Sequence, residues 1–177
     1  MSIDLANGYI RKDGSSASNI YYGYSYNTSA SDGDKVFAIR KVTTVGGVET
    51  VTWTNGSSIS YLSSWTDRAA SFTAPSGSLG LTWSTYLSPF YTADISWSLL
   101  TGVNIYQIIA KNESGSLLNM NGTRLEGQYV NDKTYTTEVF NTNSVSFSTP
   151  TPGTYSITIV GKNVAGTTSS TITFNLS

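Results

Sequence analysis

The chain contains no cysteine and no histidine among its 177 residues. Without cysteine there is no disulfide and no thiolate metal site; without histidine the usual zinc ligand and the commonest general base are missing. Charge is scarce as well. Asp, Glu, Lys and Arg make up 12% of the chain, against roughly 25% in an average globular protein. The formal net charge is -1 and the pI about 5.2, so the electrostatic footprint of a nucleic-acid binder is lacking. No apolar run approaches the ~18 residues that a membrane-spanning helix needs. These absences predict no nucleic-acid partner, no membrane insertion, no cofactor and no metal site. The first eight residues, Met1 to Gly8, also lack the basic and apolar regions of a signal peptide.

What fills the gap is hydroxyl and amide. Serine and threonine number roughly 53 and asparagine about 13, far above average usage. Aromatic residues reach 12%, too many for a disordered chain. A charge-poor, hydroxyl-rich composition of this kind suits work outside a cell, and the missing cysteine suits assembly in a reducing cytoplasm.

The hydrophobic period is two almost throughout, which predicts strands. Phe37 and Ile39 fall on one face of a strand, Ala38 and Arg40 on the other. Gly46-Gly47 signals a two-residue hairpin, with Glu49–Trp53 as the return strand. Ser57–Trp65 reads either as a short helix or as an irregular crossing, and Arg68–Thr73 as a further strand. Ala74-Pro75-Ser76-Gly77-Ser78 is the best internal boundary. It predicts one module over 1–75 and a second over 76–177. In the second, strands are expected around Leu79–Trp83, Ala93–Trp97, Val103–Ala110, Ser144–Ser148, Thr154–Val160 and Ser170–Leu176, with an inserted hairpin between Ala110 and Thr142. No helix of ten residues is expected. The fold class is therefore all-β, as two small sandwich-like domains.

Few constellations suggest chemistry. The eleven acidic residues are scattered, and nothing in their spacing pairs two carboxylates as a glycosidase requires. A nucleophilic serine would have no histidine, and no Ser-x-x-Lys element replaces it. No catalytic residue is assigned. Asp32-Gly33-Asp34 reads as a turn in preference to part of a calcium cage. Trp53 and Trp65 are expected in the core, with Arg68 pinning a loop through backbone carbonyls or a carboxylate. The candidate interaction surface is Tyr22, Tyr24 and Tyr26, which alternate onto one face of a strand. Such a row serves either as a stacking surface for a sugar or protein partner or as a half-buried packing face.

Two resemblances extend this reading. Pro152-Gly153-Thr154-Tyr155 with Ile157 and Ile159, the Lys162–Gly166 loop, and Thr168–Phe174 resemble the last two strands of fibronectin type III and bacterial immunoglobulin-like domains. Ile95-Ser96-Trp97 is similar to that family's strand B and Ile105–Ile108 to its strand C, covering about 79–177. Upstream, Tyr22-Gly23-Tyr24, Ser29-Ala30-Ser31, Phe37–Val42, Val51–Gly56 and Trp65–Arg68 follow one another over about 20–73. That succession resembles small β modules in structural proteins of tailed bacteriophages, with Phe37 where tryptophan is common and Thr66 where an acidic residue is common. The resemblance implies a non-enzymatic virion-surface protein, decorating the capsid or belonging to a head or tail fibre, assembled in the host cytoplasm. It implies partners among the other virion proteins, a homo-oligomer or symmetric array, attachment through 1–75, and a host-surface glycan as a further ligand. The alternative is an extracellular, cell-surface adhesin or carbohydrate-binding module of a bacterium.

Overall fold

The computed structural model describes residues 9–56, 60–87, 89–121, 124–129 and 137–177. The signal-peptide reading of Met1–Gly8 and the carboxylate of Asp132 lie outside the described residues. The chain is all-β. Among the described residues, helical geometry is confined to two 3-10 turns, Thr54–Gly56 and Ala70–Phe72. The second turn overturns the strand expected over Arg68–Thr73. The Asp67 carbonyl there accepts both the amide and the hydroxyl of Ser71, at 3.0 and 3.1 Å, and such local side-chain bonds compete with extended backbone.

The first sheet is a four-stranded antiparallel meander of β1 (Tyr9–Asp13), β2 (Asn19–Ser25), β3 (Ala38–Val45) and β4 (Val48–Trp53). Gly46 and Gly47 join β3 to β4 with φ of +57° and +81°. Positive φ at both central residues gives the turn whose twist matches a hairpin, as the Gly-Gly signal predicts. Sequence reasoning missed β1, whose Arg11-Lys12-Asp13 run hides its extended character. Pairing along the Tyr-rich β2, from Tyr9↔Ser25 to Asp13↔Tyr21, holds it in place.

The remaining strands are β5 (Thr82–Leu87), β6 (Tyr91–Ser96), β7 (Ile105–Asn112), β8 (Leu118–Asn121), β9 (Arg124–Tyr129), β10 (Thr137–Phe140), β11 (Ser144–Thr149), β12 (Gly153–Asn163) and β13 (Gly166–Leu176). They form one sheet in the order β5-β6-β11-β9-β8 and another in the order β10-β7-β12-β13. Neighbours are antiparallel except β9 and β11, which run parallel. The β8–β9 hairpin lies where the inserted hairpin is expected.

Alternation builds the core between these two sheets. Ala93, Ile95, Trp97, Val145 and Phe147 face Tyr106, Ile108, Ala110, Ile157 and Ile159, all buried. Each large apolar side chain buried in this way contributes roughly 1.5–3 kcal/mol. Two tyrosine tips inside are met: the Tyr106 hydroxyl accepts the Leu100 amide at 2.8 Å, and the Tyr155 hydroxyl donates to the Thr151 carbonyl at 2.8 Å, whereas the Trp97 indole N–H is buried without a partner among the described residues. Burial pushes the Tyr106 hydroxyl pKa up, so it stays neutral there. The first sheet has a smaller core of Ala30, Phe37, Ile39 and Trp65, flanked by Tyr21, Val36 and Phe72.

Candidate interaction surface

Gly23 decides which face of the first sheet is the inside. A Cβ at this position would stand 2.6 Å from Trp65 Cε3 and 2.9 Å from Cζ3, so the indole occupies the space a side chain would need. Phe37 packs on the same indole, with ring centroids 6.5 Å apart. Arg68 stacks over its ring at 5.0 Å. The Arg68 guanidinium donates to Asp13 Oδ2 through Nε at 2.8 Å and to the Trp65 carbonyl at 3.2 Å. Arg68 thus pins its loop through both a carbonyl and a carboxylate. That carboxylate belongs to Asp13, while adjacent Asp67 accepts from the Ser64 hydroxyl. The Ser15 amide and hydroxyl, followed by Arg68, lower the Asp13 pKa to about 2.

With the odd-numbered residues of β2 turned inward, Tyr22 and Tyr24 face outward. The register aligns Lys12, Tyr22, Arg40 and Trp53 in one row across all four strands. The Arg40 guanidinium lies 4.6 Å from the Tyr22 ring centroid and 5.5 Å from that of Tyr24. Lys12 Nζ lies 5.7 Å from the Tyr22 centroid. Ile10 and Val51, both about half exposed, extend the face to either side. Among the described residues Arg40 makes no ion pair, and its Nε is buried without a hydrogen-bond partner. Among the described residues aromatic faces hold its charge, a contact worth about 0.5–2 kcal/mol.

The three tyrosines singled out by alternation have three different surroundings. Tyr22 is half-buried in this row. Tyr24 is only 5% exposed, covered by Trp53 at 5.8 Å and by Arg40, and burial raises its hydroxyl pKa. Tyr26 lies past the end of β2, is 70% exposed, and packs against Tyr61 at 4.8 Å. Partial burial and the Tyr26 hydroxyl push Tyr61 up to about 12. Trp53, expected in the core, is half-buried on this outer face instead. Sequence reasoning missed the importance of Arg40, although its placement on the face opposite Phe37 and Ile39 was readable.

Asp32 and Asp34 hold a loop. Arg11 Nε donates to Asp32 Oδ1 at 2.8 Å, and the Ser31 amide donates to Asp34 Oδ2 at 2.8 Å.

A second feature lies on the outer face of β5, β6 and β11. Ser84, Tyr86, Thr92, Asp94, Ser146 and Ser148 line an open groove of about 950 Å³. The Ser146 hydroxyl donates to Asp94 Oδ1 at 2.6 Å.

Asparagines couple the halves on either side of Pro75. Asn104 Nδ2 donates to the buried Ser63 hydroxyl at 3.1 Å, and Ser63 itself forms a two-way backbone bridge with Phe37. Asn141 Nδ2 donates to the Leu62 carbonyl at 3.2 Å. Asn163 Nδ2 reaches the carbonyls of Thr73 at 2.8 Å and Gly102 at 3.2 Å. Gly102, with φ of +74°, lies so close that a Cβ would stand 2.4 Å from the Ala70 carbonyl carbon. No family model matches the sequence, and a search of curated proteins finds no match.

Proposed function

We propose that the chain is a non-enzymatic structural protein of the exterior of a tailed-phage virion, acting by protein–protein association through the outer face of its first sheet. The observation that carries this is the Lys12–Tyr22–Arg40–Trp53 row. The sheet is layered by its own chain on the Gly23–Trp65 side, while the other side offers aromatic rings and two cations. Tyr, Trp and Arg are the residues that dominate the centres of protein interfaces. Arg40, which has no ion pair among the described residues, fits a partner surface bearing carboxylates or backbone carbonyls. The carboxylates of Asp13, Asp32, Asp34 and Asp67 already accept from the chain's own groups, which favours a structural role over acid–base chemistry.

The second domain supports the immunoglobulin-like reading. Strands β5, β6 and β11 in one sheet and β7, β12 and β13 in the other reproduce the A-B-E and C-F-G division of such domains. The Tyr155–Thr151 bond matches the family's tyrosine corner, a hydroxyl bonded back to backbone a few residues upstream. The parallel β9–β11 pair departs from the all-antiparallel pattern. In this account the second domain projects from the particle.

The groove with Asp94 and Tyr86 favours a second reading, a glycan-binding adhesin module, because a carboxylate beside an exposed ring is how sugars are oriented and stacked. One experiment separates the two. Purified chain is applied to virions lacking it and to immobilised glycans, as wild type, Arg40→Gln and Asp94→Ala. The virion reading expects binding to particles that Arg40→Gln abolishes. Glycan capture lost only with Asp94→Ala replaces it with the adhesin reading.

A further inference from the structure

Among the described residues six strands close the three sheets: β1, β4, β5, β8, β10 and β13. Exposed edges invite pairing with another chain, and proteins guard them with charge, proline, bulges or brevity. Strand β1 carries Arg11, Lys12 and Asp13, β4 carries Glu49 and β10 carries Glu138, while β8 is only four residues long. Two edges lack these guards, β5 and β13. No charged residue occurs from Ala69 to Ala93 or from Asn163 to Ser177, and both strands pair with their neighbours without a bulge.

Of the two, β5 also displays apolar bulk. Leu87 is 61% exposed and Trp83 49%, both on the core-facing side of the sheet because Trp83 pairs with Ile95 and Leu87 with Tyr91. The outward residues of β13 are Thr167, Ser169, Thr171, Thr173 and Asn175, whose exposure costs nothing. Among the described residues nothing pairs the free side of β5.

We infer that β5 is a self-pairing edge, on which a second copy of this chain adds its own β5 antiparallel across a twofold axis. The occupant follows from charge and symmetry. A twofold contact sets a strand against itself, so any charge near its centre meets its own sign; an uncharged strand is self-complementary. An antiparallel pair within one continuous sheet keeps inward residues opposite inward residues. The register centred on Thr85 then sets Trp83 against Leu87 of the second copy, Leu87 against its Trp83, and Thr85 against itself. This register covers both exposed apolar side chains, and it merges two five-stranded sheets into one of ten strands. The inference does not depend on attachment through the first sheet, which lies on the other side of the Pro75 boundary.

The test is sedimentation velocity of the full-length chain over a concentration series. Wild type is expected to dimerise. Thr85→Lys, at an exposed position, faces two ammonium groups across the axis and is expected to raise the dimer dissociation constant at least about tenfold. An equimolar mixture of Thr85→Lys and Thr85→Glu is expected to dimerise again, which also shows that both variants are folded. Ser169→Lys on β13 is expected to leave dimerisation unchanged. A wild type that stays monomeric overturns the inference. So does a dimer that survives Thr85→Lys, a dimer lost with Ser169→Lys, or a charge mixture that fails to recover.

Discussion

The two halves of this molecule use the same strand alphabet to opposite ends. The second half folds two sheets against each other and buries sixteen apolar side chains between them, counted among the described residues. The first half has one sheet, buries a cluster of four under the loop that carries Trp65, and among the described residues has no second layer on its other face. A sandwich of two sheets completes its own core. A single sheet backed by a loop has little core of its own, and small domains of that kind are marginal when isolated. The asparagine and glycine contacts across Pro75 are therefore expected to stabilise the first sheet as well as to orient the halves. An open face has a use only if the sheet behind it is held firm.

The largest expected effect comes from the residue that supports the open face. Trp65→Ala should cost about 3–5 kcal/mol, as other buried aromatic truncations do. The loss should fall on the first sheet alone, so that heating resolves an early transition followed by that of the intact sandwich. A single shifted transition would mean that the two halves fold as one unit. Gly23→Ala attacks the same contact from the other side. Overpacking of this kind costs about 1–3 kcal/mol, and a Cβ 2.6 Å from the buried indole places it toward the upper end.

Next comes the joint. Gly102→Ala combines a strained positive φ with a clash on the Ala70 carbonyl, for an expected loss of about 1–3 kcal/mol. Asn104→Ala leaves the buried Ser63 hydroxyl without its donor, for about 1–2 kcal/mol. Both should lower the melting temperature of the first sheet more than that of the sandwich, which retains only the φ strain at residue 102 once the contact with Ala70 is gone. Equal loss in the two halves would remove the asymmetry on which the comparison depends.

The smallest effect is a matter of pH. The Asp13 carboxylate is bound by Ser15 and Arg68, so its folded pKa, about 2, lies below its ordinary value of 3.8. A group depressed in this way contributes stability that is complete above its unfolded pKa and is lost as pH falls through the folded one. Unfolding of the first sheet should therefore become easier between about pH 4 and pH 2. Asp13→Asn should flatten that limb in an acid titration followed by tryptophan fluorescence. An unchanged limb would mean that other carboxylates carry it.

Much of the fold was legible because alternation is a local signal. Phe37 and Ile39 fall inside where period two places them, Gly46-Gly47 makes its hairpin, and Tyr155 and Trp97 enter the core. The failures have physical causes as well. Arg68–Thr73 alternates like a strand, yet the Phe72 and Thr73 amides close a 3-10 turn on the Ala69 and Ala70 carbonyls, and Ser71 bonds back to Asp67 just before it, none of which periodicity sees. Strand β1 hides behind three consecutive charges. Alternation put Tyr22, Tyr24 and Tyr26 on one face without telling how each is covered, since Trp53 and Tyr61 arrive from distant segments. The importance of Arg40 depended on the register that sets it between Tyr22 and Trp53, and the joint depended on asparagines that look like loop residues in a chain rich in them.

The central claim is that the open face of the first sheet is the attachment surface. It is tested most directly by counting copies of the full-length protein on purified virions for wild type and for the double variant Lys12→Glu/Arg40→Gln. Both changes lie on that face and outside the Trp65 core, so the first sheet should lose no more than the roughly 0.5–2 kcal/mol of the Arg40 stacking contacts and stay folded. The double variant is expected to be folded and missing from the particles. Full occupancy by the folded double variant would contradict it.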